Sequence, residues 1–198
     1  MTRPTFVGLL PVAVVTIMIF GPTASLRLSA EHDAERRFLQ SVGKYITLRQ
    51  QVERLFLPIA ISADIDTVHR GTDARLAAIR HARAAAQPGD IFNARVADLF
   101  RARIRQSFRA RGHDASELID EMNDGHSRWL PAVVNGRFCW ETAAATPAHV
   151  IAVLPDLPAE LQYRFVGPDL VLVDITASII VDILPGVLEL SPPHSDAQ

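Results

Sequence analysis

The chain has 198 residues, with 20 Lys and Arg against 22 Asp and Glu and a single cysteine. One cysteine excludes an intramolecular disulfide, so stability has to come from packing. Charge is uneven: residues 26–111 contain 16 basic and 9 acidic residues, whereas residues 112–198 contain 3 and 13. We expect the two halves to neutralise each other on folding; the alternative is a basic half that binds an anionic surface.

The first 25 residues have the pattern of a secretory signal peptide. A positive charge at Arg3 precedes an uncharged apolar stretch, Phe6–Phe20, and small residues over Thr23–Ser25 suit cleavage after Ser25. The alternative is an uncleaved membrane anchor, because the stretch approaches the roughly 20 residues that a bilayer span needs. We therefore expect a periplasmic or secreted protein, or one anchored to the inner membrane. Nucleic acid is not an expected partner.

Four helices are predicted in the first part of the chain. Apolar residues spaced by three and four, up to Leu55, predict the first helix, and the same spacing with Asn93 as N-cap predicts the third. In chain order, the helices cover residues 31–57, Thr72 or Asp73 to Ala86, Asn93–Arg111, and a short acidic segment that begins at Asp114.

Beyond about residue 125 the pattern becomes that of strands. Asn135-Gly136 predicts a hairpin between residues 130–134 and 137–141, and Thr146-Pro147 predicts the start of a short helix that reaches Val153. Three more strands are predicted at Leu161–Val166, Leu170–Ile175 and Ile179–Leu184.

Helices followed by strands predict an α+β fold, in which about four N-terminal helices pack on a small C-terminal antiparallel sheet. We expect one domain over residues 31–190, helical to about residue 125 and β-rich after it, and a disordered tail over residues 191–198. The last strands are apolar on both faces. Both faces should therefore be covered, or one covered and the other docked to a partner.

The stretch from Leu154 to Asp174, with the pattern LP.LP.EL.YRFVG.DLVLVD, continues to an IVD at Ile180–Asp182. It resembles a block that recurs in small exported bacterial proteins of unknown function. The resemblance implies export and a helical region followed by this β block, and it implies no activity.

Two candidate enzymatic patterns lie between the helical and β-rich parts. The segment 125–129 (GHSRW) begins like the nucleophile elbow of α/β-hydrolases, but Trp129 replaces the second glycine, which favours a polar loop. A helix would place His113, Glu117 and Glu121 on one face near His126, as in a divalent metal site. Their spacing is not a recognised signature, so a solvated acidic face is the preferred interpretation.

Arg101, Arg105 and Arg109 form a ridge at helical spacing in the third predicted helix. Such a ridge can bind anionic lipid headgroups. It can also pair with the acidic segment 114–124, which is the preferred interpretation because it requires no partner.

Three carboxylates lie in or beside the last strands: Asp169, Asp174 and Asp182. Paired carboxylates can act as general acid and base, although roles in turns and at strand ends are preferred here. Cys139 is interpreted as a packing residue rather than as a thiol activated by Arg137.

No residue is assigned as catalytic, cofactor-binding or metal-ligating, and no cofactor is expected. The sequence favours a non-enzymatic interaction or structural module of the cell envelope, with an envelope protein or an anionic membrane surface as partner. A small periplasmic hydrolase or metal-dependent enzyme built from His113–His126 is the alternative. A ligand-binding cavity between helices and sheet is a third hypothesis.

Overall fold

The computed structural model describes residues 22–56, 65–112, 118–120, 131–140 and 143–189, with side chains from Leu26 to Phe56 and from Arg70 onward within those ranges. It is an α+β fold, as predicted, with helices packed against one antiparallel sheet. We number its helices α1 (Pro22–Glu53), α2 (Ile65–Ala82), α3 (Ala94–Arg111) and α4 (Ala148–Ile151); residues 118–120 are also helical. Its strands are β1 (Ala144–Ala145), β2 (Leu161–Val166), β3 (Asp169–Asp174) and β4 (Ile179–Leu184).

Helix α1 begins nine residues earlier and ends four residues earlier than predicted from the sequence. Its apolar face is buried from Ala34 to Val52, whereas residues 26–32 are all exposed. Leu55 is predicted to lie in the apolar stripe but is 79% exposed. The reason is that the helix ends in tighter turns, in which the N–H of Leu55 donates to the carbonyl of Val52. The core therefore begins at Ala34.

Helix α3 follows its prediction closely, whereas α2 begins seven residues before the predicted Thr72. The Asn93 side chain caps α3 by accepting a hydrogen bond from the N–H of Val96, and Gly112 ends the helix in the left-handed conformation at φ 65°. Phe100 is fully buried in the middle of α3, where it packs against Phe38 of α1 with ring centroids 4.9 Å apart.

The sheet has the strand order β1-β2-β3-β4, and every pair is antiparallel. Strands β2, β3 and β4 lie within one residue of their predicted bounds. A tight turn at Gly167-Pro168 joins β2 to β3, and residues 175–178 join β3 to β4. The short predicted helix is present as α4, but the hydroxyl of Thr146 donates to the carbonyl of Tyr163 instead of capping it.

A β-bulge at Val181 decides which face Asp182 occupies. Leu172 pairs with Asp182 and Val173 pairs with Ile180, so Val181 is an extra residue in β4. The extra residue shifts the alternation of side chains by one position. Asp182 therefore lies on the helix-facing side with Leu172, and Ile180 lies on the opposite side.

The hairpin predicted around Asn135-Gly136 is wrong. The described residues 131–140, which we call the edge segment, lie along the free edge of β4, where Arg137 pairs with Ile179. Asn135, with φ 63°, donates its N–H to the carbonyl of Ile180 at 2.8 Å. The turn at Asn135-Gly136 is still present, but the residues that follow it pair with the free backbone groups of β4 instead of with the residues that precede it.

The edge segment also explains why the last strands are apolar on both faces. The helices cover the face that carries Leu170, Leu172 and Leu184. Phe138 of the edge segment is buried against the opposite face, which carries residues such as Val171 and Ile183. Both faces are covered within the chain, which confirms the first of the two alternatives.

Candidate functional site

Asp174 is fully buried on the helix-facing side of the sheet and is saturated with hydrogen bonds. Its Oδ2 accepts from the hydroxyl of Tyr45 at 2.8 Å and from Nε of Arg49 at 2.6 Å. Its Oδ1 accepts from the backbone N–H groups of Thr176 and Ala177 at 3.0 and 2.9 Å. Because Tyr45 and Arg49 are four residues apart, one face of α1 delivers both donors. Asp174 thus joins α1 to the sheet and closes the turn between β3 and β4.

Asp182 is equally buried, and its hydrogen-bond donors among the described residues are backbone N–H groups. Oδ1 accepts from Gly89 and Ile183, both at 2.8 Å. Oδ2 accepts from Ile91 and Phe92, both at 2.7 Å. Three of these donors belong to the loop between α2 and α3, where Gly89 has φ 90°, a conformation that favours glycine. Asp182 therefore fixes the path of this loop against β4.

Arg83 links the two aspartate sites to the edge segment. Its guanidinium donates to the side-chain oxygen of Asn135 and to the carbonyl of Val181, both at 2.7 Å, and lies 5.1 Å from the ring centre of Tyr45. Asn135 returns a hydrogen bond to the carbonyl of Arg83 at 2.8 Å. Burial lowers the pKa of Arg83, and the nearby Tyr45 and Asp182 act in the opposite direction. Arg83 and the residues that it contacts therefore form a packed internal network.

This geometry bears directly on the general acid–base hypothesis. A catalytic carboxylate has to reach a reacting proton, yet both oxygens of Asp174 and of Asp182 already bind internal donors and both residues are 0% exposed. Asp169 accepts from the N–H of Gly186 at 2.9 Å. The three carboxylates thus hold turns and loops, the interpretation preferred from the sequence, although Asp182 binds the α2–α3 loop and not the β3–β4 turn.

Both tyrosines of the chain are buried and hydrogen-bonded. Burial raises the pKa of the Tyr45 phenol well above its ordinary value, and the charge of Asp174 and the hydrogen bond to it raise it further. The hydroxyl of Tyr163 donates to the carbonyl of Pro155 at 3.1 Å. Burial raises the pKa of Tyr163 too, and the charge of Asp156 adds to this effect. Both phenols are therefore neutral in the folded chain well into the alkaline range.

A solvent-open groove of about 390 Å³ lies between α4, the loop that follows it and β2. Its wall includes the apolar side chains of Ile151, Leu157 and Leu161 and the charged side chains of Asp156 and Arg164. The volume falls within the range of small-molecule sites, about 300–1,000 Å³. All of its lining residues lie between positions 145 and 164, so one continuous stretch of the chain folds back on itself to form the groove. The sequence patterns named none of them as a binding residue.

The arginine ridge of α3 is divided between internal contacts and solvent. Arg101 donates to the carbonyl of Pro185 at 2.9 Å, whereas Arg105 and Arg109 are exposed. Arg103 pairs with Glu35 at 3.0 Å and approaches Glu31 at 4.0 Å. Most of the acidic segment 114–124 lies outside the described residues, so its pairing with the ridge stays a prediction.

The remaining sequence hypotheses have different outcomes. The segment 125–129 and the predicted metal ligands His113, Glu117, Glu121 and His126 lie outside the described residues. Within the described residues, no group of three or more metal-ligating side chains is assembled. Cys139 is partly buried beside an apolar cavity of about 160 Å³, and the nearby Arg137 forms an ion pair with Asp73.

The fold defines a class, an α+β protein with a helical layer on a four-stranded antiparallel sheet. Comparisons with protein-family models, curated proteins and solved structures found no match. The resemblance of the C-terminal block to exported bacterial proteins therefore stays a prediction. Across the described ranges, no helix combines the length and the apolar character that crossing a membrane requires.

Proposed function

We propose that this chain is an exported, non-enzymatic module of the cell envelope that docks one basic end on an anionic membrane surface. The observation that carries the proposal is the placement of exposed arginines at the end of the molecule where α1 begins. The proposal holds whether the N-terminal apolar segment is retained or removed, since every arginine of this end follows the predicted cleavage point at Ser25.

Contacts between α1 and α3 define this end. Phe38 packs against Phe100, and further along α3 Arg103 pairs with the earlier residue Glu35. The two helices are therefore antiparallel, and the C-terminal turns of α3 lie at the same end as the N-terminal turns of α1. We call this the basic end; its exposed basic residues are Arg27, Arg105, Arg109 and Arg111.

Three acidic side chains of α1 at the basic end pair with arginines other than these four. Glu31 and Glu35 both face Arg103, and Asp33 pairs with Arg36. Exposed arginines at a membrane surface each contribute about 1 kcal/mol of attraction to anionic lipid. The fully internal hydrogen bonding of Asp174 and Asp182 supports a binding role over a catalytic one. The metal-dependent alternative concerns residues outside the described ranges and stays a prediction.

Vesicle sedimentation tests the proposal. A chain that begins at Leu26 retains the whole described core, because the first buried side chain is Ala34. We expect it to bind vesicles that contain about one third anionic lipid at low salt, to release them at high salt, and to ignore neutral vesicles. Replacing Arg105 and Arg109 by Gln should weaken the partition coefficient roughly 10- to 30-fold.

The matched control removes two exposed positive charges at the other end of α1, with Lys44→Gln and Arg54→Gln. This variant has the same net charge as the first but leaves the basic end intact, so its binding should stay close to that of the parent. Equal losses in the two variants would indicate non-specific attraction to net charge. Absence of binding to anionic vesicles at low salt would refute the proposal.

A further inference from the structure

Arg164 lies in the wall of the groove beside α4, and not all of its hydrogen-bond donors have acceptors among the described residues. One of its Nη groups donates to the side-chain oxygen of Gln162 at 2.7 Å, and its guanidinium lies 5.3 Å from the ring centre of Trp140. Its Nε is buried and has no hydrogen-bond partner among the described residues. A buried donor without an acceptor costs about 1–3 kcal/mol. The wall of the groove therefore contains a guanidinium whose hydrogen-bonding capacity the described residues do not fill.

The rest of the groove indicates what else the occupant carries. Ile151 projects from α4 with 50% of its surface exposed, and Leu157 and Leu161 add further apolar surface. Trp140, which stacks on Arg164 beside the groove, is 42% exposed. Large apolar side chains around a recessed cation favour a ligand with an apolar body and an anionic head.

Asp156 limits the charge of that head. It is exposed and lies in the same groove as Arg164. Its carboxylate repels a second negative charge, so a monoanion suits the groove better than a phosphate dianion or an acidic peptide. A carboxylate also matches the planar guanidinium, with which it can form paired hydrogen bonds.

We propose that the groove between α4 and β2 binds a small monocarboxylate with an apolar body, with Arg164 as the contact for the carboxylate. The site is separate from the basic end, and its occupant is a soluble small molecule and not a membrane surface. Asp156 sets the charge that the site accepts, and Ile151 contacts the apolar body.

Calorimetric titration with octanoate, using the chain that begins at Leu26, tests this site. Acetate has the carboxylate without the apolar body, and octanol has the body without the charge. We expect octanoate to bind at least tenfold more tightly than either. Arg164→Gln should remove this advantage over octanol, and Ile151→Ser should weaken octanoate while leaving acetate unchanged.

The decisive variant is Asp156→Asn, because an exposed side chain can be replaced without unfolding the protein. Removing its negative charge should tighten octanoate binding about threefold, since the repulsion disappears. Asp98→Asn removes the same charge from an exposed position on α3 and should change nothing.

Three results would each overturn the proposal: octanoate no tighter than acetate, Asp156→Asn indistinguishable from Asp98→Asn, or unaltered binding in a folded Arg164→Gln variant. The Arg105→Gln and Arg109→Gln changes should leave octanoate binding as it is. The groove and the membrane proposal can therefore fail independently.

Discussion

Asp174 and Asp182 are both fully buried on the helix-facing side of the sheet, but different kinds of donor hold them. Asp174 accepts from two side chains of α1 at Oδ2, the phenol of Tyr45 and the guanidinium of Arg49, and from two backbone N–H groups of the β3–β4 turn at Oδ1. Asp182 depends on backbone N–H groups, three of them from one loop. A charge can thus be buried either against a counter-charge or inside a loop whose amides converge on it.

The difference predicts how each site responds to substitution. Side chains can be replaced together with their partner, so the contact of Asp174 with α1 can be converted into an apolar one, and only the two N–H groups of the β3–β4 turn still require an acceptor. Backbone N–H groups remain under every substitution except that by proline, so the loop around Asp182 requires an acceptor whatever side chains it carries. Asp182 should therefore be the less replaceable of the two residues.

The largest expected effect is that of Asp182→Asn. The amide retains one acceptor oxygen but turns an NH₂ group towards backbone donors, so buried N–H groups lose their partners. We expect the free energy of unfolding to fall by about 4 kcal/mol or more, measured by urea denaturation. Asp169→Asn, which retains an acceptor for Gly186 at a turn, should cost less than about 1 kcal/mol. Similar losses in the two variants would contradict the role given to Asp182.

Asp174→Asn should destabilise the chain by about 3 kcal/mol, because it leaves Arg49 buried without its main counter-charge. The cost is smaller than at Asp182, since Glu53 lies 3.8 Å from Arg49 and retains part of the compensation. Replacing Arg49 by Met in the same chain should recover part of the loss. A double-mutant cycle should then give a coupling energy of about 1–3 kcal/mol, and additive effects would contradict a direct interaction.

Alkaline pH should affect the Asp174 site through Tyr45. The folded-state pKa of Tyr45 is raised above its ordinary value of 10.0, so its contribution to stability is complete below pH 10 and is lost as pH rises further. Each tyrosine that ionises only after unfolding lowers the free energy of unfolding by about 1.4 kcal/mol per pH unit.

Phenolate absorbance should appear together with unfolding, since Tyr45 and Tyr163 are the two tyrosines of the chain and both have raised pKa values. Tyr45→Phe should cost about 1 kcal/mol at neutral pH and halve the alkaline slope, with Tyr163 supplying the remainder. Phenolate that forms in the folded chain near pH 10 would contradict the raised pKa of at least one of the two tyrosines.

Parts of this fold follow from local patterns. Apolar spacing and the Asn93 cap predict α3 because helix periodicity and capping are local properties. The apolar runs predict β2, β3 and β4 to within one residue, and their two-sided apolar character predicts that both faces are covered. The start of α1 was missed because residues 26–32 are exposed and polar residues interrupt them, so no apolar stripe marks that part of the helix.

The sequence alone thus determined the α+β class, the three main helices and the apolar strands β2 to β4, since each depends on spacing within one short segment. Only the tertiary structure decided the partner of the Asn135 turn, the face occupied by Asp182 and the groove around Arg164. The first two features arise where segments far apart in the chain compete for the same free edge or the same buried carboxylate, and the groove arises where residues 145–164 fold back on themselves. A one-residue bulge at Val181, with no mark in the apolar pattern, is enough to move a charge from one face of the sheet to the other.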